Sequence, residues 1–274
     1  PARQGEFCRT LHMPQISSIL DVTIEIVRAA GAVLRQGWGR AGRVDFKGEV
    51  DLVTEYDRRA EALIVAALRE QFPTHHIYAE EQGDAGPGDS AFTWLIDPLD
   101  GTTNFAHGFP VFAVSVGLVH QGERLVGVVY DPTRDELYTA GLQMGARLNG
   151  APVRVSETAV LDQALLATGF AYDRRTAADN NVANVARFIR RCQGLRRAGA
   201  AALDLAYVAC GRLDGYWEMG LNPWDVAAGT LIVQEAGGRV TDFGGADREH
   251  PSGKRIVASN GRIHSEMLDV LRTE

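Results

Sequence analysis

Three cysteines in 274 residues are too few for the disulfide framework of a small secreted domain. Cys8, Cys192 and Cys210 also lack the Cys-x-x-Cys spacing of a structural zinc site. Their odd count suits a reducing cytosol, so the chain is read as cytoplasmic. No apolar run reaches the roughly 18 residues of a membrane span, so no membrane partner is expected. Basic residues are in deficit, with 28 Lys and Arg against 35 Asp and Glu. A nucleic-acid binder ordinarily carries a basic footprint, so no nucleic-acid partner is expected either. A net charge of −7 still allows a phosphorylated small substrate, because a bound cation inverts the local field. Repeats, low-complexity segments and a secretory signal are absent from the sequence. Residues 1–12 precede Met13 without a pattern and are set aside as a non-native leader.

What is present is alternating order. Ile19, Leu20, Ile24, Val27 and Leu34 recur at helical spacing. Thr54 and Asp57 have capping-box spacing before AEALIVAAL, a helix that Pro73 stops. HIYA and TWLI read as strands, with Gly83–Ser90 a flexible loop between them. From Val111 to Ala140 three strands form an antiparallel meander, with turns at Gly122-Glu123 and Pro132–Asp135. Near Gly150 the pattern changes, giving an N-terminal subdomain over 13–150 and a C-terminal one over 151–274 that together make one unit. In the second, ALLATGF, DGYWEMG and RIVASN read as strands. NVANVARFIRR, AAALDLAYVACG and WDVAAGTLIVQEAGG read as helices. The expected class is layered α/β, an α+β sandwich with an antiparallel sheet in the first half and a mixed sheet in the second.

One stretch, TWLIDPLDGTTNF, joins a buried strand to two aspartates, a proline, a glycine and two threonines. Asp97-Pro98-Leu99-Asp100 has the composition of a turn, which brings its end residues within about 7 Å. Carboxylates that close repel, unless one is protonated or a hard, oxygen-seeking cation sits between them. Gly101-Thr102-Thr103 then offers backbone N–H groups for an anion. An isolated Asp-Pro-x-Asp is more simply a turn with a helix cap. Glu80 and Glu81 follow another strand, however, and Asp225 opens a helix after a third. Each acid alone is an ordinary cap or solvated end. Three acidic strand exits meeting in one cleft would supply carboxylates for two or more divalent cations, the parts of metal-assisted phosphate hydrolysis. The arginines of RFIRRCQGLRR read as a solvated helix end complementing the helix dipole. Trp94, Trp217 and Trp224 read as packing anchors.

WLIDPLDGTTNF and PWDVAAGTLIVQEAGG, in that order, closely resemble the two signature motifs of the inositol monophosphatase family. With KGEVDLVTEYD and YAEEQ the resemblance covers Ile19 to Leu271. It implies an αβαβα layered fold shared with fructose-1,6-bisphosphatase, magnesium dependence with two to three Mg2+ ions, lithium sensitivity and a homodimer. It further implies that Glu80, Asp97 and the Leu99 carbonyl hold one ion, and that Asp97, Asp100 and Asp225 hold a second. Thr102, supported by Asp57, would orient the attacking water together with Glu80. Gly101 and Thr102 N–H groups would hold the phosphate. Asp100, Gly199, Ala200, Ala201, Glu218 and Asp225 would meet the polyol of a small phosphorylated substrate. Lys47 matches a lysine on a loop near the site. Asn222-Pro223 stands where animal members usually carry histidine and cysteine, and the Lys47–Asp51 loop is one residue shorter than theirs. The implied activity is hydrolysis of inositol monophosphate. Relatives with a similar metal site act on fructose bisphosphate, histidinol phosphate or adenosine 3′,5′-bisphosphate.

Overall fold

A computed structural model describes residues 13–39, 44–46, 52–87, 89–246 and 253–272. Residues 1–12 and Lys47 lie outside the described residues. The chain opens with α1 (Met13–Gly37), β1 (Val44–Phe46), β2 (Leu52–Thr54) and α2 (Glu55–Gln71). Strands β3 (His76–Ala79), β4 (Gly83–Ala85) and β5 (Phe92–Asp100) lead to the short helix α3 (Thr102–Ala106). A meander follows: β6 (Ala113–His120), β7 (Glu123–Asp131), β8 (Glu136–Gly141), β9 (Ala146–Leu148) and β10 (Ala151–Pro152). The second half runs β11 (Leu165–Thr168), α4 (Val182–Phe188), β12 (Gly194–Arg196), α5 (Ala201–Ala209) and β13 (Gly215–Met219). It closes with α6 (Pro223–Glu235), β14 (Arg239–Thr241), β15 (Arg255–Ser259) and α7 (His264–Arg272).

Strand alternation sorts the side chains into layers. In the eight-stranded sheet, order β10-β9-β8-β7-β6-β5-β3-β4, Val116, Leu118, Val126 and Val128 pack with Leu20, Val27 and Leu34 of α1 and Ile64 and Leu68 of α2. On the opposite face Gly117 and Gly127 admit α6, whose Ala227 and Ala228 come within van der Waals range of those glycines. The five-stranded sheet, order β12-β11-β13-β15-β14, turns Ala167, Tyr216, Ile256 and Ala258 toward the same middle layer. Its other face buries Leu166, Trp217 and Val257 against Phe188 of α4 and Met267 of α7. Helices and sheets thus alternate in five layers: α1/α2, sheet, α5/α6, sheet, α4/α7.

The first sheet is antiparallel apart from β3, which pairs parallel to β5. The second is mixed, with β12, β11 and β13 parallel and β15 antiparallel to both β13 and β14. Gly83–Ala85, expected as loop, is instead a strand paired antiparallel to β3, whose open edge supplies backbone partners. The first meander turn lies one residue earlier than expected, where Gln121 and Gly122 both take positive φ (47° and 101°). That is the two-residue hairpin geometry that matches strand twist. Gly150 (φ 81°) follows Asn149 (φ 49°) in the turn between β9 and β10.

Candidate functional site

Parallel pairing does the first positioning. Ala79 lies opposite Ile96 in the β3–β5 ladder, so Glu80, just past the end of β3, and Asp97, within β5, stand side by side. Asp97 pairs with Ser115, and Ser115 with Val129, which places all three on the face toward α6. The Asp97–Asp100 segment is not the isolated turn expected from its composition. β5 continues through Asp100, with a register shift between Asp97 and Asp100 opposite β6. The Asp97 carboxylate accepts the Leu99 N–H at 2.9 Å, and the irregular ladder resumes at Asp100–Ala113. The bulge lets Asp97 and Asp100 both serve one cleft.

Gly101 then turns the chain at φ 93°. A Cβ there would stand 2.9 Å from the Val111 carbonyl oxygen and 3.3 Å from that of Gly199. Only glycine fits both the backbone angle and the space. Thr102 begins α3, and its hydroxyl has two acceptors in reach, Asp57 Oδ1 at 3.1 Å and the Leu99 carbonyl at 3.0 Å. Asp57 is the N3 residue of α2. Its Oδ2 accepts the Thr54 N–H at 2.8 Å and also the Thr54 hydroxyl, completing the capping box read from the sequence. Burial pushes the Asp57 carboxyl up to about 6, against the opposing Thr54 hydrogen bonds.

The middle-layer helices deliver the rest. Asp225 is N3 of α6 and accepts the Asn222 N–H at 2.7 Å, again a capping box. Asp100 accepts the N–H groups of Ala201 (3.1 Å) and Ala202 (2.8 Å), so it caps the start of α5 across the cleft. Asn104 ties the preceding segment down, donating to the Val111, Ala198 and Gly199 carbonyls. Glu218 shares its face of β13 with Tyr216, whose hydroxyl donates to Glu218 Oε2 at 2.6 Å.

These elements enclose a cavity of about 540 Å3. Glu80, Asp97, Leu99, Asp100, Gly101, Thr102, Gly199, Ala200, Ala201, Glu218 and Asp225, all named from the sequence, line it. Asp57 lies behind Thr102. Lys47 is outside the described residues. The electrostatics are those of crowded acids. Asp97 is held well above the usual carboxylate range by burial and then by Glu80, Asp100 and Asp225. Burial raises Asp100 to about 6 despite its α5 N–H donors. It also raises Asp225, whose Asn222 hydrogen bond opposes the shift while Glu80 and Asp100 add to it. Glu218 rises to about 7 by burial, with Tyr216 and Arg197 opposing. Among the described residues no three His, Cys, Asp or Glu side chains form an assembled ion cage. The fit to a cation rests on donor chemistry: four hard carboxylates share one cleft and repel one another. Such a donor set suits a hard, oxygen-seeking divalent cation.

Sequence reasoning missed three features. Arg197, read as part of a solvated helix end, lines the cavity; α4 stops at Phe188 and β12 intervenes. The loop after β11 adds Phe170, Tyr172 and Arg174 to the wall. Asp204 of α5 is 1% exposed, and its Oδ1 has no hydrogen-bond partner among the described residues. Burial, Glu218 and Asp100 drive its carboxyl up, with Arg197 opposing. The β11 loop is placed by strand pairing, which the sequence reading did not contain. β11 and β13 are parallel neighbours, so whatever follows β11 emerges beside Glu218.

Five alternating layers around a cleft of converging carboxylates define a fold and site of the phosphatase class. Residues 15–274 match the inositol monophosphatase family. Inositol-1-monophosphatase of Synechocystis is 51% identical over 253 residues, covering 92% of this chain and 88% of that protein. The Nus factor SuhB of Escherichia coli is 44% identical, covering 93% and 96%. The structure of an inositol monophosphatase from Anabaena superposes with a TM-score of 0.85 at 46% identity, over 93% of this chain and 96% of that one. The chain belongs to the inositol monophosphatase family, a family of phosphatases.

Proposed function

We propose that the protein is a magnesium-dependent phosphomonoesterase that hydrolyses inositol monophosphate to inositol and phosphate. The observation that carries this reading is the grouping of Glu80, Asp97, Asp100 and Asp225 on one cavity wall beside Gly101 and Thr102. Glu80, Asp97 and the Leu99 carbonyl would hold one ion, and Asp97, Asp100 and Asp225 another. Bound magnesium supplies Lewis-acid activation of water and stabilisation of charge at the phosphoryl group. Thr102, oriented by Asp57, positions the attacking water, and Glu80 takes its proton. Gly101 and Thr102 N–H groups hold the phosphate oxygens. Glu218 and the Gly199–Ala201 segment meet the polyol hydroxyls. In the same reading the protein is a cytoplasmic, lithium-sensitive homodimer. No helix among the described residues is long and apolar enough to cross a membrane.

Phosphate release from a panel of phosphomonoesters, after chelation and again with added magnesium, tests the proposal. Activity should vanish on chelation, return with magnesium and favour inositol monophosphate. Activity indifferent to chelation would refute it. Arg174 and Arg197 on the cavity wall favour a second reading, a substrate that carries another anionic group, such as fructose 1,6-bisphosphate. Preference for the bisphosphate over fructose 1-phosphate, lost in Arg197→Gln, would select it. A purely non-catalytic role leaves the clustered acids of the cleft, with Asp97 and Asp100 buried, without a purpose.

A further inference from the structure

Glu218 stands in a box whose walls are built by other residues. On one side Tyr216 donates to Oε2 at 2.6 Å. On the other, Gly169 lies so close that a Cβ there would collide with both carboxylate oxygens. The position of Gly169 relative to β13 therefore decides where the Glu218 carboxylate can lie.

That position is fixed by one amide. Asn181 is 3% exposed and takes a left-handed conformation, φ 68°. Its Nδ2 donates to the Gly169 carbonyl at 2.7 Å and to Thr168 Oγ1 at 2.9 Å. Its Oδ1 accepts Trp217 Nε1 at 2.9 Å and Asn184 Nδ2 at 3.0 Å. Thr168 Oγ1 in turn donates to the Trp217 carbonyl at 2.7 Å. Both amide hydrogens and two acceptor positions are in use, the full complement of a primary amide. Buried and saturated, such a group specifies one arrangement, because any shift strands several polar atoms at once.

The amide thus ties the exit of β11 to Trp217, the residue immediately before Glu218. It also closes the base of the loop from Gly169 to Asn181, which carries the wall residues Phe170, Tyr172 and Arg174. None of its partners is a carboxylate of the Glu80, Asp97, Asp100 and Asp225 wall.

We propose that Asn181 is the positioning residue for polyol recognition: it holds Gly169 and the β11 loop against β13 and so places Glu218. This rests on the reading that Glu218 meets the substrate's hydroxyls. Asn181 acts on the part of the substrate that is recognised, and the hydrolytic wall is independent of it.

The test uses Asn181→Gly, which keeps the positive φ without strain and removes all four hydrogen bonds. A second variant, Asn181→Asp, is nearly isosteric, tolerates the same backbone and replaces the two donors to the β11 exit with a carboxylate oxygen that repels the Gly169 carbonyl. Steady-state constants are measured with inositol 1-phosphate and with p-nitrophenyl phosphate, which has no polyol. Both variants should raise KM for inositol 1-phosphate about tenfold, the equivalent of about one net hydrogen bond. Their kcat, and both constants for p-nitrophenyl phosphate, should stay near the parent values. In a Glu218→Ala background the Asn181 variants should add nothing further. Additive effects there, or equal losses with both substrates, would overturn the proposal. If thermal melting shows that Asn181→Gly does not fold, the same outcomes read in Asn181→Asp decide. If Glu218→Ala alone leaves KM for inositol 1-phosphate unchanged, the underlying reading of Glu218 fails. If Glu218→Ala raises it and the Asn181 variants do not, only the positioning role fails.

Discussion

Asp97 is the residue on which the charge of the cleft converges. It is 3% exposed and feels Glu80, Asp100 and Asp225 together. In the proposed function it is the ligand shared by two ions. Asp97→Asn keeps the shape and the acceptor for the Leu99 N–H, so the fold should survive. Turnover should fall by at least about two orders of magnitude, as expected when a group that stabilises transition-state charge is lost. Circular dichroism and phosphate release measured on the same sample check this; near-parental turnover would sink the two-ion assignment. At this scale the acids were legible because each stands next to an apolar run in the sequence. Arg197 was not, because its place depends on where α4 stops and on β12, a three-residue strand with no periodicity of its own. Asp204 was hidden differently. An acid in a helix's first turn reads as a dipole partner, and only packing reveals that this one is buried against Glu218 and Asp100.

The long amphipathic helices and the β6–β8 meander were legible as elements, since their periods of 3.6 and 2 repeat over enough residues. The short strands β4, β12 and β14 were not. Three residues carry no period, and such strands exist because a neighbouring edge offers backbone partners. The close seating of α6 was also invisible in the sequence. α6 lies on β6 and β7 through Gly117 and Gly127, and a Cβ at Gly127 would stand 2.6 Å from the Ala228 carbonyl oxygen. A methyl cannot enter there without moving the helix that carries Asp225. Gly127→Ala should therefore destabilise the fold by about 1–3 kcal/mol, the usual cost of overpacking. Because α6 would shift as a body, the same variant should also weaken magnesium activation, raising the concentration needed for half-maximal rate. Denaturant unfolding and a magnesium titration measure the two effects. A stability loss with unchanged magnesium dependence would mean that Asp225 is placed by its own cap and not by the seating of α6.

For the whole molecule, the cleft makes stability depend on pH and cation together. Asp100 is raised from 3.8 to about 6, and Asp97 and Asp225 are raised well above their ordinary values. In the metal-free protein these groups keep protons that the unfolded chain has already released. The folded state then binds more protons between the unfolded and folded pKa values, and its stability falls as pH rises through that window. Their favourable contribution is fully present below about pH 3.8 and has been lost for Asp100 by the time pH passes about 6. Other groups set the acid limit, so the measurable window is the rise from about pH 5 to 7.5. In the proposed function a divalent cation would reverse this dependence, because it would bind the ionised carboxylates and only in the folded state. The gain in melting temperature on adding magnesium should be small at pH 5 and several degrees larger at pH 7.5. The Asp97→Asn variant should lose most of the difference. Melting curves with chelator and with magnesium across that range provide the measurement. An equal gain at both pH values would show that magnesium stabilises the protein elsewhere, and the carboxylate cleft would no longer account for metal binding.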